Sequence, residues 1–251
     1  MVGEERGERL RSAFESADWP RLWPNQRPKD AATLILVDRG ADEPKVLMGR
    51  RHAGHKFMPG KFVFPGGRLE TADRTMRSAS ELRPEATSRL KTRVVSRSAG
   101  RGRALALTAI RETYEETGLL LGRQVENGTE YAGAAPSWRP FFEHGVLPDL
   151  EPVAFVGRAI TPPRRPKRFD TRFFALDRRA ICAEIPGFIG PDKELVELVW
   201  VDLAAARELD LPRITAIMLQ EVEHRLEAGF RSDLPVPFYR EERGRFLRDL
   251  L

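Results

Sequence analysis

Within the stretch Ile110–Leu120, three of the five residues from Glu112 to Glu116 are carboxylates, preceded by Arg111 and followed by Gly118. The flanking sequence has helical periodicity. At about 100° per residue, Leu107, Ile110 and Tyr114 form a narrow apolar stripe, and Glu112, Glu115 and Glu116 share a sector of roughly 100° away from it. Arg111 falls on the border between the two. Like charges at these spacings repel, and they stand in the last helical turn, where the helix dipole favours cations. A hard divalent cation such as Mg²⁺, which takes carboxylate oxygens and keeps waters for a phosphate, would resolve the conflict. The residues alone leave two readings open: a metal site and a solvated acidic face.

The rest of the chain must hold that helix in place. Residues 31–39 and 45–51 read as strands joined by a hairpin loop, and 62–64 as a short strand ending in a Pro-Gly-Gly turn. Residues 76–97 are polar and Arg-rich and are expected to be helical, with 98–103 as a break. A helix over about 104–117 should close on Gly118 as a left-handed cap. A short helix is expected within 137–145, strands over 152–160, 168–176 and 195–203, and a helix over 214–229. Another short helix is expected at 10–18. This order implies an α/β domain with a mixed sheet. The organisation expected is an N-terminal extension, 1–30, and one domain, 31–251.

Composition sets outer limits. The 251 residues carry a formal charge of +5, with 31% charged and 41% hydrophobic residues. No apolar run reaches the length of about 18 residues that a membrane span needs, and the N-terminus lacks the apolar core of a secretory signal. The single cysteine, Cys182, excludes an internal disulfide and fits a reducing, cytoplasmic setting. The basic surplus suits anionic partners. Residues 74–103 lack the interleaved aromatics of a nucleic-acid stacking surface, so nucleic acid is not the expected partner. Met218, Leu219, Val222 and Leu226 could mark a homodimer helix, although core packing explains them more simply.

Arg111-Glu112-x-x-Glu115-Glu116-x-Gly118, with Phe64-Pro65-Gly66-Gly67 upstream, resembles the two ends of the Nudix box. The resemblance spans about residues 31–229. It implies the Nudix fold, an α/β/α sandwich around a mixed sheet, and metal-dependent cleavage of a diphosphate linked to another moiety. Carried over residue by residue, Glu112, Glu115 and Glu116 would hold Mg²⁺ or Mn²⁺, and Gly66 or Gly67 would add a backbone carbonyl. Arg111 would orient a carboxylate. The general base varies in the family; Glu194 is the first candidate and Glu197 the second. The alternative to hydrolysis is an inactive nucleotide-binding module with the same fold.

The box is split. Its second glycine usually precedes the arginine by fourteen positions, whereas Gly67 precedes Arg111 by 44. About thirty residues, the segment 74–103, are therefore inserted as an expected helical element. The remaining box glutamate is replaced, and counting forward from Gly67 gives Asp73, expected to pair with Arg111. Upstream, Val46-Leu47, Arg50, Lys56 and Gly60 keep the spacing of the signature of coenzyme A diphosphatases, with Lys56 in place of an arginine and Arg51-His52 in place of Ser-Ala. Arg50 and Lys56 are thus candidate substrate-phosphate contacts. Coenzyme A or an acyl derivative leads as substrate, followed by ADP-ribose or another nucleotide sugar. No peroxisomal signal is read in the closing residues.

Overall fold

The computed structural model describes residues 22–40, 42–55, 58–94, 100–125 and 134–251. The expected helix at 10–18 and the candidate Lys56 lie outside the described residues.

The chain runs through β1 (Lys29–Asp38), β2 (Lys45–Arg51), β3 (Phe62–Val63), β4 (Gly66–Arg68), α1 (Pro84–Leu90) and α2 (Arg101–Thr117). It continues through β5 (Leu119–Leu121), β6 (Arg123–Gln124), α3 (Arg139–Glu143), β7 (Val146–Leu147), β8 (Ala154–Ile160), β9 (Phe169–Asp177) and β10 (Ile181–Glu184). The remaining elements are β11 (Leu195–Asp202), α4 (Leu203–Glu208), α5 (Arg213–Glu227), β12 (Pro237–Glu242) and β13 (Arg245–Leu250). Among the described residues, nine strands form one mixed sheet in the order β11-β2-β1-β9-β8-β12-β13, with β3 on β2 and β4 on β1. The β1–β9 and β8–β12 pairs are parallel, and the other pairs in the sheet are antiparallel.

The period-2 alternation of β1 explains the layering. Ala32, Leu34 and Leu36 enter the core with α2, including Leu105, Leu107, Ile110 and Tyr114. Ile35 and Val37 enter a second core with Ile217, Met218, Leu219 and Val222 of α5. The result is helix, sheet, helix, the expected α/β/α sandwich. Met218, Leu219 and Val222 are core residues, as the simpler reading held. No helix among the described residues is long and apolar enough to cross a membrane.

Three expectations are corrected. Pro65-Gly66-Gly67 does not turn: the chain bends at Pro65 and enters β4, with Ala32 opposite Gly67 and Thr33 opposite Gly66. Neither glycine has a positive φ. They are needed for close approach, since a Cβ on Gly66 would lie 2.5 Å from the Ala32 carbonyl oxygen. Residues 76–97 are not one helix. Residues 76–83 carry no helix and make a bridge between Ser80 and Asp149, and α1 begins only at Pro84, which presets the helical φ but forces Arg83 to stay extended. Third, residues 101–103 are helical where a break was expected, since α2 begins at Arg101; twelve of its seventeen residues are buried, including Arg111 and Glu116. Gly118 does close α2 as a left-handed cap, with φ 79° and its N–H donating to the Tyr114 carbonyl.

Candidate active site

Asp73 is the anchor of the site. It is completely buried, and its carboxylate accepts from Arg111 Nε at 2.8 Å and Nη2 at 3.0 Å, the two-pronged geometry that guanidinium and carboxylate share. It also accepts from the Thr108 hydroxyl at 2.8 Å, the Glu70 N–H at 2.9 Å and the Trp138 indole at 3.2 Å. Both oxygens are therefore spent on fixing Arg111. The pairing expected from counting along the split box is present.

Arg111 passes this order on. Its Nη2 donates to the Arg68 carbonyl at 2.9 Å, tying α2 to the end of β4. Its Nη1 lies 2.7 Å from Glu115 Oε2 and 3.0 Å from Glu112 Oε1. Burial alone would make Arg111 easier to deprotonate, but the hydrogen bond to Asp73 and the charges of Glu112, Asp73 and Glu115 more than reverse that. Its guanidinium therefore contacts three carboxylates, those of Asp73, Glu112 and Glu115.

The three glutamates are not equivalent. Glu112 is pushed up to about 7, mainly by burial and partly by the Glu115 charge, against the pull of Arg111. Gly67 makes its position feasible: a Cβ there would sit 2.4 Å from the Glu112 carboxyl carbon. Glu115 is the most exposed of the three and is raised by burial, with Arg111 opposing. Glu116 is only 6% exposed and is raised well above the usual carboxylate range, first by burial and then by the charges of Glu194 and Glu112. The Gly66 backbone N–H faces it and partly offsets that rise. Glu116 Oε2 is buried with no hydrogen-bond partner.

Glu194 is brought to the same place from the loop before β11. It accepts from Arg51 Nη2 at 2.9 Å, stands 3.4 Å from His55 Nε2 and is near enough to Glu116 to raise it. An open cleft of about 400 Å³ lies beside it, lined by His52, Gly54, His55, Asp192, Lys193 and Glu194. A second hollow, about 350 Å³, is lined by Lys29, Asp30, Arg68, Leu69, Glu70 and Arg74. Glu70 is close enough to Glu115 for its charge to act on it. Glu194 thus lines the first hollow and Glu70 the second.

Arg50 and Glu197 are not brought to the acids. They pair with each other at 2.7 Å across β2 and β11. Alternation along β2 puts Leu47 with the α2 core and Val46 and Met48 with the α5 core, so Arg51 falls on the side of α2 and Arg50 on the other. Arg51 and His55 are the site residues that sequence reasoning missed. The signal available was the departure itself, Arg51-His52 standing where the resembled signature has Ser-Ala.

The acids fit a divalent cation in chemistry, though not yet in arrangement. All three carboxylates are raised, first by burial and then by neighbouring acids, and one has a buried oxygen without a partner, which suits carboxylates that a cation would pair. Among the described residues, however, no group of three or more His, Cys, Asp or Glu side chains already stands together as a metal cage. Glu112 and Glu115 lean on Arg111 instead.

No family model and no curated protein matches the chain. Among solved structures, a Nudix hydrolase from Alicyclobacillus acidocaldarius is 28% identical, with 78% of this chain and 90% of that chain covered and a TM-score of 0.59. The fold is that of the Nudix hydrolases. The Nudix domain of Shewanella oneidensis NrtR, solved with ADP ribose, is 14% identical over 80% of this chain and 90% of its own, at a TM-score of 0.44. A MutT protein from Methanosarcina mazei Go1 is 13% identical over 80% and 98%, at 0.45. Gly66 and Gly67 lie on β4, and Arg111, Glu112, Glu115 and Glu116 lie on α2.

Proposed function

We propose that the chain is a Nudix-type hydrolase that uses Mg²⁺ or Mn²⁺ to cleave a diphosphate bond in a nucleoside diphosphate linked to another moiety. The observation that carries this reading is Glu116: a buried carboxylate with an unpartnered oxygen, beside two further raised acids. Glu116 and Glu112 would hold the cation, with Glu115 released from Arg111 to join them. Such a cation supplies charge neutralisation on the diphosphate and a lowered pKa for an attacking water. The residues themselves do the positioning. Asp73 fixes Arg111, Arg111 holds Glu112, and Gly67 leaves room for the Glu112 carboxylate. Glu194 stands beside Glu116 and is the candidate to accept the proton of the water.

Two hollows, one lined by Glu194 and the other by Glu70, suit a substrate with two arms joined at the diphosphate. The spacing of the coenzyme A signature around Arg50 and Gly60 favours coenzyme A or an acyl derivative, with ADP-ribose or another nucleotide sugar next. On this reading residues 31–251 are one domain, interrupted at 74–103 and preceded by the extension 1–30.

The test is a hydrolysis screen of coenzyme A, acyl-coenzyme A, ADP-ribose, nucleotide sugars, dinucleoside polyphosphates and capped RNA with each metal, with products identified by mass. Cleavage at the diphosphate of coenzyme A, faster than of ADP-ribose, is expected. Preference for ADP-ribose would overturn the substrate assignment alone. No cleavage of any of them with either metal, while the protein binds nucleotide, would replace the enzyme with a binding module.

A further inference from the structure

We propose that Arg51, rather than Arg50, is the cation that binds a substrate phosphate in this site, its Nε donating to a phosphate oxygen beside Glu116. The inference rests on the diphosphatase reading above and names a ligand for it that the sequence pattern does not supply.

Arg51 is the last residue of β2, and its side chain is only 12% exposed. One end of its guanidinium is committed: Nη2 donates to Glu194 at 2.9 Å and lies 2.9 and 2.8 Å from the two ring nitrogens of His55. The Nε–H beside it on the same edge is not: it is buried and has no hydrogen-bond partner among the described residues. A guanidinium N–H left unmet in the interior is costly, and native proteins rarely tolerate it without a ligand or water.

Its counterpart is nearby. Glu116, close enough to feel the Arg51 charge, has its own buried unpartnered oxygen. A donor and an acceptor, both unmet, share one site and do not bond each other. A metal-bound phosphate would satisfy both at once: the oxygen of Glu116 takes the cation, and a phosphate oxygen on that cation takes the N–H of Arg51. Either partner alone would leave one atom orphaned.

Arg50 has the opposite character. Its side chain is 44% exposed, its Nε is spent on Glu197 at 2.7 Å, and strand alternation turns it away from α2. Glu194 gains a second role from the same contact. With Arg51 Nη2 holding it, the base candidate and the phosphate ligand are positioned by one guanidinium, a fork that a lysine lacks.

The test uses the full chain with methylenediphosphonate, a diphosphate that cannot be hydrolysed, in the presence of Mg²⁺. Calorimetry should give a loss of affinity of about 30-fold for Arg51→Ala, partial recovery in Arg51→Lys, and a change of less than about 3-fold in Arg50→Ala. Mn²⁺ binding alone should be kept or tightened in Arg51→Ala, because a cation beside Glu116 has been removed; a misfolded variant would lose both. Unchanged methylenediphosphonate affinity in both Arg51 variants, or an equal loss in Arg50→Ala, would overturn the assignment. So would failure of the wild type to bind methylenediphosphonate. If the wild type binds it but cleaves no diphosphate in the screen, the hydrolase reading falls and Arg51 stands. If it cleaves diphosphates and Arg51→Ala keeps the wild-type KM, only Arg51 falls.

Discussion

The two ends of α2 are both wrong for its dipole, and they solve the problem differently. The positive N-terminus carries no acid in its first turn and begins with Arg101. That arginine is absorbed by an ionic cluster: Asp30 takes Arg101 and Arg172, and Asp170 takes Arg158 and Arg172. Arg158 reaches on to the Thr92 and Arg93 carbonyls just beyond the end of α1, so the cluster fastens residues 84–93 to the sheet. The negative C-terminus has no basic residue in its last turn and holds Glu115 and Glu116. There the acids outnumber the local cations, Arg111 and Arg51. Asp170, despite burial, is held below its usual range by Arg158 and Arg172, whereas Glu112, Glu115 and Glu116 are all raised. The first arrangement pairs both of its carboxylates with arginines and leaves Arg101 Nε and Arg172 Nη2 unmet, whereas the second leaves a carboxylate oxygen, Glu116 Oε2, unmet.

Removing one carboxylate from each end should separate the two roles. Glu116→Gln keeps shape and the Gly66 contact but removes the charge that would hold the cation. Turnover should fall by about 10³-fold or more, while the metal-free melting temperature stays the same or rises, because a strained buried charge is gone. Diphosphate hydrolysis and a thermal melt read the two effects. Wild-type turnover in Glu116→Gln would end the metal-site reading. Asp170→Asn should do the converse. Taking one partner from a buried ionic cluster leaves Arg158 and Arg172 uncompensated and should cost about 3 kcal/mol of stability. The kcat of the folded fraction should stay within about 3-fold of wild type. Denaturant titration with an activity assay measures both, and a variant that kept full stability would show that this cluster does not hold the fold.

The same contrast marks what was legible in the sequence. The long periodic elements were: β1, β2, β8, β9, β11, α2 and α5 all fall close to where their alternation or helical spacing places them. So was the Asp73–Arg111 pair, reached by counting six places forward from Gly67. The hairpin β12–β13 was not read. Its strand Pro237–Glu242 opens with proline and ends in charges, and its partner Arg245–Leu250 is similarly mixed, so neither shows the apolar run of a central strand. The short β5 and β10 have too few residues to show a period. At the site, the angular count grouped the three glutamates but could not show that their face is covered, because burial of Arg111 and Glu116 depends on β4 and residues 69–76 folding over α2. Arg51 was not singled out for a similar reason. A motif position fixes a place along the strand, but the face it presents depends on which side α2 packs.

The smallest expected effect is the one in which the two ends pull stability in opposite directions with pH. For Glu112 the folded value is raised, from 4.5 to about 7. Below pH 4.5 the group is protonated in both states and contributes nothing. Between 4.5 and about 7 the unfolded chain loses the proton while the folded chain keeps it, so the stability of the metal-free protein falls as pH rises. Asp170 has the reverse sign. Its folded value is lowered from 3.8, so its contribution is full above that value and is lost as pH falls below it. Metal-free protein should therefore be most stable in mildly acid solution, and urea midpoints from pH 3 to 8 would trace the two limbs. Glu112→Gln should flatten the limb above 4.5 and leave the acid limb, and Asp170→Asn should do the opposite. Mn²⁺ should also flatten the upper limb in the wild type, because a cation binds the ionised carboxylates and stabilises the fold most where they have lost their protons. A slope between pH 4.5 and 7 that survives both Glu112→Gln and Mn²⁺ would locate the titrating group elsewhere and remove the electrostatic distinction between the two ends of the helix.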